Sequence, residues 1–382
     1  MAFSSQHAGL AAACAAGFAF AANYTNHAPL VPGLMEQFHF SRALAGFLTT
    51  GIFLTHAVMQ IPGGHLADRY GPRRVLIAAL ALVCAGNFGV GLSNAYWQLL
   101  AWKVFVGFGT GASFVAGARY VTGLYAGPRL HMAQGLYGGS VLLGSGFVIF
   151  AVPHLLAAFG WRGAFFATAT VATAAWLVWI AAAAPLEAAR RPAVSFRGMF
   201  SSPQLWLLGL VQMASFGLAI VVGAWISVLL RSAVNASPAR AGLIGSGVLL
   251  LGIVTRPLGG LLVPRTGVRP LLLASLLLSA SGCLWLGLGV RSLVPAGIAI
   301  TLLGVGCGLP YAALFNRAAA MFPDRAGAAM GLVNMLGIVM ILAGAPLVGW
   351  LADWSGSFQA SFFALGAFTL CALAAAFAIK ES

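Results

Sequence analysis

Long apolar runs separated by short polar breaks occupy almost the whole of this 382-residue chain. Each run has about 20 residues or more, the length that an α-helix needs to cross the hydrocarbon core of a bilayer. Twelve such runs follow one another from near residue 8 to near residue 379. The pattern predicts an all-α membrane protein with twelve transmembrane helices, called helices 1 to 12 below.

The break between helices 2 and 3 is the most distinctive, because it combines small residues, an acid and a group of arginines. It runs from Gln60 to Arg74 and reads Q-I-P-G-G-H-L-A-D-R-Y-G-P-R-R. A weaker copy lies between helices 8 and 9, where Arg256, Gly260, Leu262, Arg265, Gly267 and Arg269 match Gln60, Gly64, Leu66, Arg69, Gly71 and Arg73. The glycines of helix 4, Gly107, Gly109 and Gly111, recur in helix 10 as Gly304, Gly306 and Gly308. The chain is therefore interpreted as a duplication.

The motif Gly64-x-Leu66-Ala67-Asp68-Arg69-x-Gly71-x-Arg73-Arg74 resembles the loop signature of the major facilitator superfamily of transporters. The resemblance implies a secondary transporter that works by alternating access, built from two pseudo-symmetric six-helix bundles. The two bundles are predicted at residues 1–184 and 204–382. The polar stretch between them, residues 185–203, is interpreted as a cytoplasmic linker, and a short helix is predicted within it at 195–200.

The same resemblance implies a gate at the cytoplasmic ends of the helices. It places Asp68 against the amino-terminal end of helix 11, near Gly327, with Arg69, Arg73 and Arg119 orienting the carboxylate. The second copy of the motif has Pro264 at the position of Asp68 and cannot make the same contact. The predicted gating residues are Asp68, Arg69, Gly71, Arg73, Arg119, Arg265, Arg269 and Arg317.

Composition supports the membrane prediction. With 61% hydrophobic and 7% charged residues and a mean hydropathy of +0.96, the chain has too little polar surface to cover a water-soluble globule. The net charge of +14 does not indicate nucleic acid as a partner, because the basic residues alternate between the loops of the two sides. With the amino terminus inside, thirteen of the twenty fall on cytoplasmic turns and five outside. We expect a cytoplasmic (inner) membrane protein with both termini in the cytoplasm.

Acidic and basic residues are placed differently relative to the apolar runs. The six acids, Glu36, Asp68, Glu187, Asp324, Asp353 and Glu381, all fall at helix ends or in loops. By contrast, Lys103 and Arg256 fall within apolar runs. A cation there costs at least ~2.5 to 3.5 kcal/mol unless it meets water or a counter-ion. Since no acid is nearby in the sequence, the predicted counter-ion is an anionic substrate.

Arginine suits that role because its planar guanidinium donates two parallel hydrogen bonds to a carboxylate or another oxyanion. A structural role for Arg256, with the side chain bonded to helix-end carbonyls, stays open. Lys103 stands where the superfamily's helix 4 motif usually has an arginine, and structural and functional roles are both open for it.

A second resemblance concerns the substrate. In nitrate and nitrite porters, arginines of helices 2 and 8 hold the anion together, and the first directly precedes Ile-Pro. Here Arg256-Pro257 is kept, but Gln60 precedes Ile61-Pro62. The glycine- and asparagine-rich signatures of helices 5 and 11 are only partly kept, in Gly135, Gly138, Gly139, Gly144, Gly331, Asn334 and Gly337. The single arginine favours a small monoanion such as a monocarboxylate, cyanate or a nitrite-like ion.

Other polar side chains within the apolar runs complete the candidate site. The predicted substrate-binding residues are Arg256, Lys103, Gln60, Asn23, Tyr24, His27, Gln212, Tyr311 and Asn334. His27 and His56 are also candidates for carrying a proton, because an ordinary histidine titrates near neutral pH. A proton or a counter-anion is the expected coupling partner. The five cysteines lie inside predicted helices without C-x-x-C spacing and are interpreted as small core residues. No cofactor or metal is predicted, and a monomer is expected.

Two other classes of function receive less support from the sequence. A proton-coupled exporter of neutral or cationic compounds is disfavoured, because it ordinarily needs a carboxylate buried at mid-membrane. Helix 5 also lacks the Gly-Pro pair of the superfamily's antiporter motif. A membrane enzyme is not supported, because the sequence contains no G-x-S-x-G, H-E-x-x-H or nucleotide-binding motif.

Overall fold

Helices that can cross a membrane make up most of residues 2–186 and 196–380, the parts of the chain that the computed structural model describes. Ten helical segments are long and apolar enough to cross, and the bent pair Leu44–Val58 and Gln60–Tyr70 forms one more. One of the ten, Pro128–Ala182, has 55 residues and is divided into two helices by the non-helical backbone of Gly160. The twelve predicted helices are therefore present, and α1 to α12 below keep their numbers.

The first six helices are α1 (Ala2–Thr25), α2 (Arg42–Val58 and Gln60–Tyr70), α3 (Pro72–Gly91), α4 (Tyr96–Leu124), and α5 and α6, which share Pro128–Ala182 and meet at Gly160. The last six are α7 (Pro203–Gln212, Met213–Gly217 and Leu218–Val234), α8 (Pro238–Thr266), α9 (Val268–Gly287), α10 (Leu293–Gly308 and Tyr311–Met321), α11 (Ala326–Ser355) and α12 (Phe358–Ala376). The short helix Phe196–Phe200 confirms the one predicted in the linker, whereas residues 187–195 of that linker lie outside the described part.

The two copies of the motif build the same turn. Gly71 separates α2 from α3 with φ +87°, and Gly267 separates α8 from α9 with φ +83°. Residues with a Cβ rarely adopt such φ values, so glycine is required at both positions. The helices that lead into these turns also begin alike, because the hydroxyl oxygens of Ser41 and Ser237 accept hydrogen bonds from the backbone N–H groups of Leu44 and Arg240.

Proline bends α2 before it reaches its turn. The two parts of α2 meet at Met59 and differ in direction by 41°. Pro62 has no N–H to donate to the carbonyl of Val58, four residues earlier, and its ring would collide with that carbonyl in a straight helix. The break therefore falls where the sequence places Gln60, the first residue of the second part.

Close packing divides the chain into two units. Unit 1 contains Met1–Ala126, Ser140–Ser195 and Ala319–Gly331, and unit 2 contains Gly127–Gly139, Phe196–Ala318 and Leu332–Ser382. The first turns of α11 thus belong with the N-terminal helices, and those of α5 belong with the C-terminal helices. The division of the chain at residues 185–203, which follows the sequence repeat, stays a prediction.

Apolar side chains form a core in each unit. In unit 1, Leu30, Leu34, Val148 and Phe165 belong to one buried cluster. In unit 2 the corresponding cluster draws on α7, α9, α10 and α12 and includes Ile226, Leu286, Leu303 and Phe362. The cysteines are free thiols: Cys84, Cys283 and Cys307 are buried, Cys14 is partly buried and Cys371 is exposed.

Candidate functional site

Arg256 lies inside unit 2, on α8, with only 3% of its surface exposed. Its Nη1 donates a hydrogen bond to the carbonyl oxygen of Gly138 on α5, at 2.7 Å. The guanidinium also lies over two aromatic rings, 4.4 Å from the centroid of Tyr311 and 5.6 Å from that of Phe216. Ring faces carry partial negative charge and stabilise a nearby cation. The guanidinium is therefore in contact with a backbone carbonyl and with two aromatic rings.

Glycine is what allows α5 to come this close to α8. A Cβ on Gly135 would meet the Arg256 carbonyl oxygen at 2.5 Å and the Cα atom of Pro257 at 2.8 Å. A Cβ on Gly138 would overlap the ring of Tyr311. Small residues let helices pack backbone against backbone in a membrane. The partly kept glycines of helix 5 thus bring the Gly138 carbonyl within reach of the guanidinium.

A short π-helical turn in α7, Met213–Gly217, positions further side chains of the site. Gln212 directly precedes the turn, and Phe216, which lies beside Arg256, is within it. The side-chain amide of Gln212 donates to the Oδ1 of Asn334 at 3.0 Å, and both residues are buried. Single π-helical turns often occur at functional sites. Four predicted residues therefore lie in unit 2 and form two contacting pairs, Arg256 with Tyr311 and Gln212 with Asn334.

Lys103 lies in unit 1, within a buried polar network. Its Nζ donates to Asn26 Oδ1 at 2.5 Å and to the backbone oxygen of Asn23 at 3.2 Å. Asn26 in turn donates to Asn87 Oδ1 at 3.1 Å and to Thr168 Oγ1 at 2.8 Å. Side chains of α1, α3, α4 and α6 meet in this network, and all of those named are less than 10% exposed. The ammonium group is thus solvated by amide oxygens of the protein.

Three other predicted residues also lie in unit 1. His27 Nε2 is 2.9 Å from Thr49 Oγ1. The Tyr24 hydroxyl accepts from Ser145 at 3.0 Å, and its ring packs against His56 at 5.7 Å. Gln60 is fully buried and donates to the backbone oxygen of His56 at 3.2 Å. The polar end of α1 is therefore packed against its neighbouring helices.

The carboxylate of Asp68 makes the predicted contact with the start of α11. Its two oxygens accept hydrogen bonds from the backbone N–H groups of Gly327 at 3.0 Å and Ala328 at 3.1 Å. Arg119 Nε donates to the same carboxylate at 2.9 Å. A Cβ on Gly64 would overlap the carbonyl of Gly327, so this contact also requires glycine. We call Asp68, Arg119, Gly64, Gly327 and Ala328 the latch.

The remaining predicted gating arginines have other partners. Arg69 packs over the ring of Tyr70, and Arg73 donates to the backbone oxygens of Ala183 and Ile180. Of the three arginines expected to orient Asp68, only Arg119 is bonded to it, because the other two point toward the end of α6 and the Tyr70 ring. In the second copy, Arg265 donates to Leu261, Arg269 packs over Phe377 and Arg317 donates to Lys380.

Comparison with known proteins identifies the fold. A family model described as "Major Facilitator Superfamily" matches residues 13–229 and 210–382. The chain belongs to the major facilitator superfamily. The solved structure of the human organic anion transporter MFSD10 (TETRAN) matches with a TM-score of 0.82 at 18% identity, covering 97% of this chain and 99% of that one. This superfamily member is a membrane transporter with the twelve-helix fold.

Two curated relatives carry names that mention nitrate or nitrite. "Probable nitrate/nitrite antiporter NarK1" of Thermus thermophilus is 25% identical over 367 residues, covering 87% of this chain and 82% of that protein. "Nitrite extrusion protein" of Bacillus subtilis is 24% identical over 319 residues, covering 81% of this chain and 78% of that protein. The resemblance to the nitrate and nitrite porters inferred from helices 2 and 8 is thereby confirmed.

Sequence reasoning missed several parts of the site in this superfamily member. Phe216 lies one helical turn after Gln212, which was a signal that it shares a face with a predicted residue. Asn87 and Thr168 gave no comparable signal, because they lie on two other helices, α3 and α6. The π-helical turn at Met213–Gly217 has no sequence pattern that we can identify.

Proposed function

We propose that this transporter moves a small monoanion, such as a monocarboxylate, cyanate or a nitrite-like ion, and that Arg256 binds it. The observation that carries the proposal is the environment of Arg256, a buried guanidinium bonded to a neutral carbonyl and flanked by two aromatic rings. A carbonyl does not neutralise the charge, so an anion gains more there than a neutral or cationic molecule would. The names of the nitrate and nitrite relatives support the same class.

The shape of the site favours a flat anion. Nitrite, cyanate and carboxylate groups are planar or linear, and a planar group can lie beside the rings of Phe216 and Tyr311 while it accepts bonds from the guanidinium. A guanidinium presents its N–H donors in one plane, and here Nη1 donates to the Gly138 carbonyl. The side-chain amides of Gln212 and Asn334 add polar groups from α7 and α11.

The alternative, a proton-coupled exporter of neutral or cationic compounds, receives less support. A cationic substrate would need a buried carboxylate. Asp68, the buried acid that the structure describes, is bonded to Gly327, Ala328 and Arg119 at one end of α2. We propose coupling by exchange of anions, or by a proton carried on the substrate, on Lys103 or on His27. We further propose an inner-membrane, monomeric protein with both termini in the cytoplasm.

Transport by purified protein in liposomes tests the proposal. Uptake of labelled nitrite, nitrate, cyanate, formate and acetate is measured with and without a pH gradient, and with and without unlabelled anion inside. We expect saturable uptake of at least one monoanion. Stimulation by internal anion alone indicates exchange, whereas stimulation by the pH gradient indicates proton coupling. Saturable uptake of an organic cation, with no uptake of any of the anions, would contradict the proposal.

A further inference from the structure

A cavity of about 520 Å³ lies at the end of unit 2 that is farthest from the α8–α9 turn. The ends of α7, α9 and α11 and the first turn of α12 line it. Its apolar wall includes Leu229, Leu286 and Phe358, and its polar groups include Asp353 and Gln359. None of these residues belongs to the Arg256 site or to the latch. The cavity is therefore separate from the Arg256 site and the latch, and its lining suits a ligand that has apolar and polar parts.

A second hollow, of about 450 Å³, adjoins the first and carries the opposite charge. It is lined by the last turn of α7, including Arg231 and Asn235, and it shares Val228 and Ser232 with the larger cavity. Asp353 and Arg231 are both exposed. Within residues 2–186 and 196–380, the structure gives neither side chain a hydrogen bond or a salt bridge. The joined hollow thus offers a carboxylate and a guanidinium, each available to a ligand.

The position of this hollow along the membrane normal follows from the neighbouring face of α11. Leu347, Trp350 and Trp354 are 52%, 60% and 74% exposed, and they recur at helical spacing on one side of the helix. The two tryptophan rings stack with centroids 6.2 Å apart. Exposed tryptophans at a helix end are typical of the membrane–water interface, where lipid headgroups lie. Asp353 directly precedes Trp354, so the hollow opens at headgroup depth.

We propose that the joined hollow binds phosphatidylethanolamine. The lipid's ammonium group donates hydrogen bonds to Asp353, its phosphate accepts them from Arg231, and an acyl chain packs against Val228, which is 45% exposed, and Phe358. Both charges of the hollow are then matched by one headgroup. Phosphatidylglycerol has the phosphate without the ammonium group, and the quaternary ammonium of phosphatidylcholine has no N–H to donate. The proposal is independent of which anion the protein transports.

Lipid occupancy of the purified full-length protein tests the proposal by native mass spectrometry. The protein is delipidated in mild detergent and titrated with phosphatidylethanolamine, phosphatidylglycerol or phosphatidylcholine of matched acyl chains. We expect the wild type to prefer phosphatidylethanolamine. In Asp353→Asn this preference should fall about fivefold, to the level of phosphatidylglycerol, as expected for loss of an interfacial ion pair. Glu36→Gln, which removes an exposed acid of unit 1, is the control and should keep the preference.

The arginine is tested in the same way. Arg231→Gln should weaken the binding of all three lipids, because each carries a phosphate, whereas Arg291→Gln, which changes an exposed arginine outside the hollow, should not. The proposal is overturned if the wild type binds the three lipids equally, or if the controls lower occupancy as much as the hollow variants do. Displacement of the lipid by soluble phosphoethanolamine at the same concentration would also overturn it, because a water-soluble ligand would then be the natural occupant.

Discussion

Arg256 and Lys103 are buried to a similar degree, 3% and 1% exposed, and each cation lies over an aromatic ring, but the oxygen atoms that they contact differ. Lys103 is bonded to the backbone oxygen of Asn23 and to the side chain of Asn26, which continues the network to Asn87 and Thr168. Arg256 is bonded to one backbone oxygen and lies against two ring faces. The first arrangement holds helices together, and the second supports the binding of an anion.

Replacing Arg256 with lysine should therefore weaken substrate binding although the positive charge is kept. An ammonium group cannot reproduce two parallel hydrogen bonds, and loss of one bond to a charged group costs about 1.5 to 3 kcal/mol, or roughly ten- to a hundredfold in Kd. The measurement is the Kd of the transported anion in detergent or proteoliposomes. Arg269→Lys, which changes an arginine of the α8–α9 turn, should leave the Kd unchanged. Wild-type affinity in Arg256→Ala would show that the site is elsewhere.

Replacing Lys103 with methionine should reduce stability more than it reduces affinity. The substitution removes the donor for Asn26 Oδ1 and the Asn23 backbone oxygen, and a buried acceptor left unsatisfied costs about 1 to 3 kcal/mol. We expect a lower Tm and a nearly unchanged Kd for the anion. The opposite result, an unchanged Tm with lost binding, would place Lys103 in the substrate site.

At the scale of helix pairs, the side chain of Asp68 joins α2 to α11. The carboxylate of Asp68 accepts two N–H groups from the first turn of α11, where the helix dipole places partial positive charge. Arg119 holds the carboxylate from the other side. In the second copy of the motif, Pro264 replaces the acid, and Asn316 Nδ2 instead lies 3.0 Å from His131 Nδ1. The two halves of the chain therefore make different contacts at the equivalent positions.

Removing the charge of Asp68 should release α11 from α2. A carboxylate at a helix amino terminus contributes about 0.3 to 1 kcal/mol when exposed and up to ~2 kcal/mol when partly buried, and ~1.4 kcal/mol changes the ratio of two conformers tenfold. In Asp68→Asn we expect a larger population of the form in which the latch is open, which we assign to the inward-open state. Turnover should be slower, with the Kd of the anion largely kept.

Spin-label distances between the ends of α2 and α11 measure this population. Asp324→Asn is the matched control, because Asp324 lies three residues before Gly327 but outside the latch. If the distances in Asp68→Asn do not lengthen, or lengthen equally in the control, the latch does not control the conformation, and the motif serves folding or topology.

At the scale of the whole molecule, the same structural features occur once in each half of the chain. Gly71 and Gly267 form the same turn, and Ser41 and Ser237 begin the helices that lead to it. The segments that match each other at the start of α5 and α11 belong to unit 2 and unit 1 respectively. The duplication is thus visible in backbone geometry as well as in the sequence.

The sequence by itself determined the twelve helices and the duplication, and its motif identified the superfamily. These follow from local properties, since the length of an apolar run sets a crossing, and glycine with positive φ sets a turn. The resemblance to the superfamily supplied a long-range contact, that of Asp68 with the start of α11. The sequence also identified Lys103 and Arg256 as the cations inside the apolar runs.

Only the tertiary structure decided what surrounds each of these cations. Lys103 is reached by the backbone oxygen of Asn23 and the side chain of Asn26, with Asn87 of α3 and Thr168 of α6 behind them. Arg256 is reached by a backbone carbonyl of α5 and by aromatic rings of α7 and α10. Which residues meet depends on the rotation of each helix about its axis and on close packing at glycines. Helices that are apolar on every side give little sign of that rotation in their sequence, so packing between distant segments decides it.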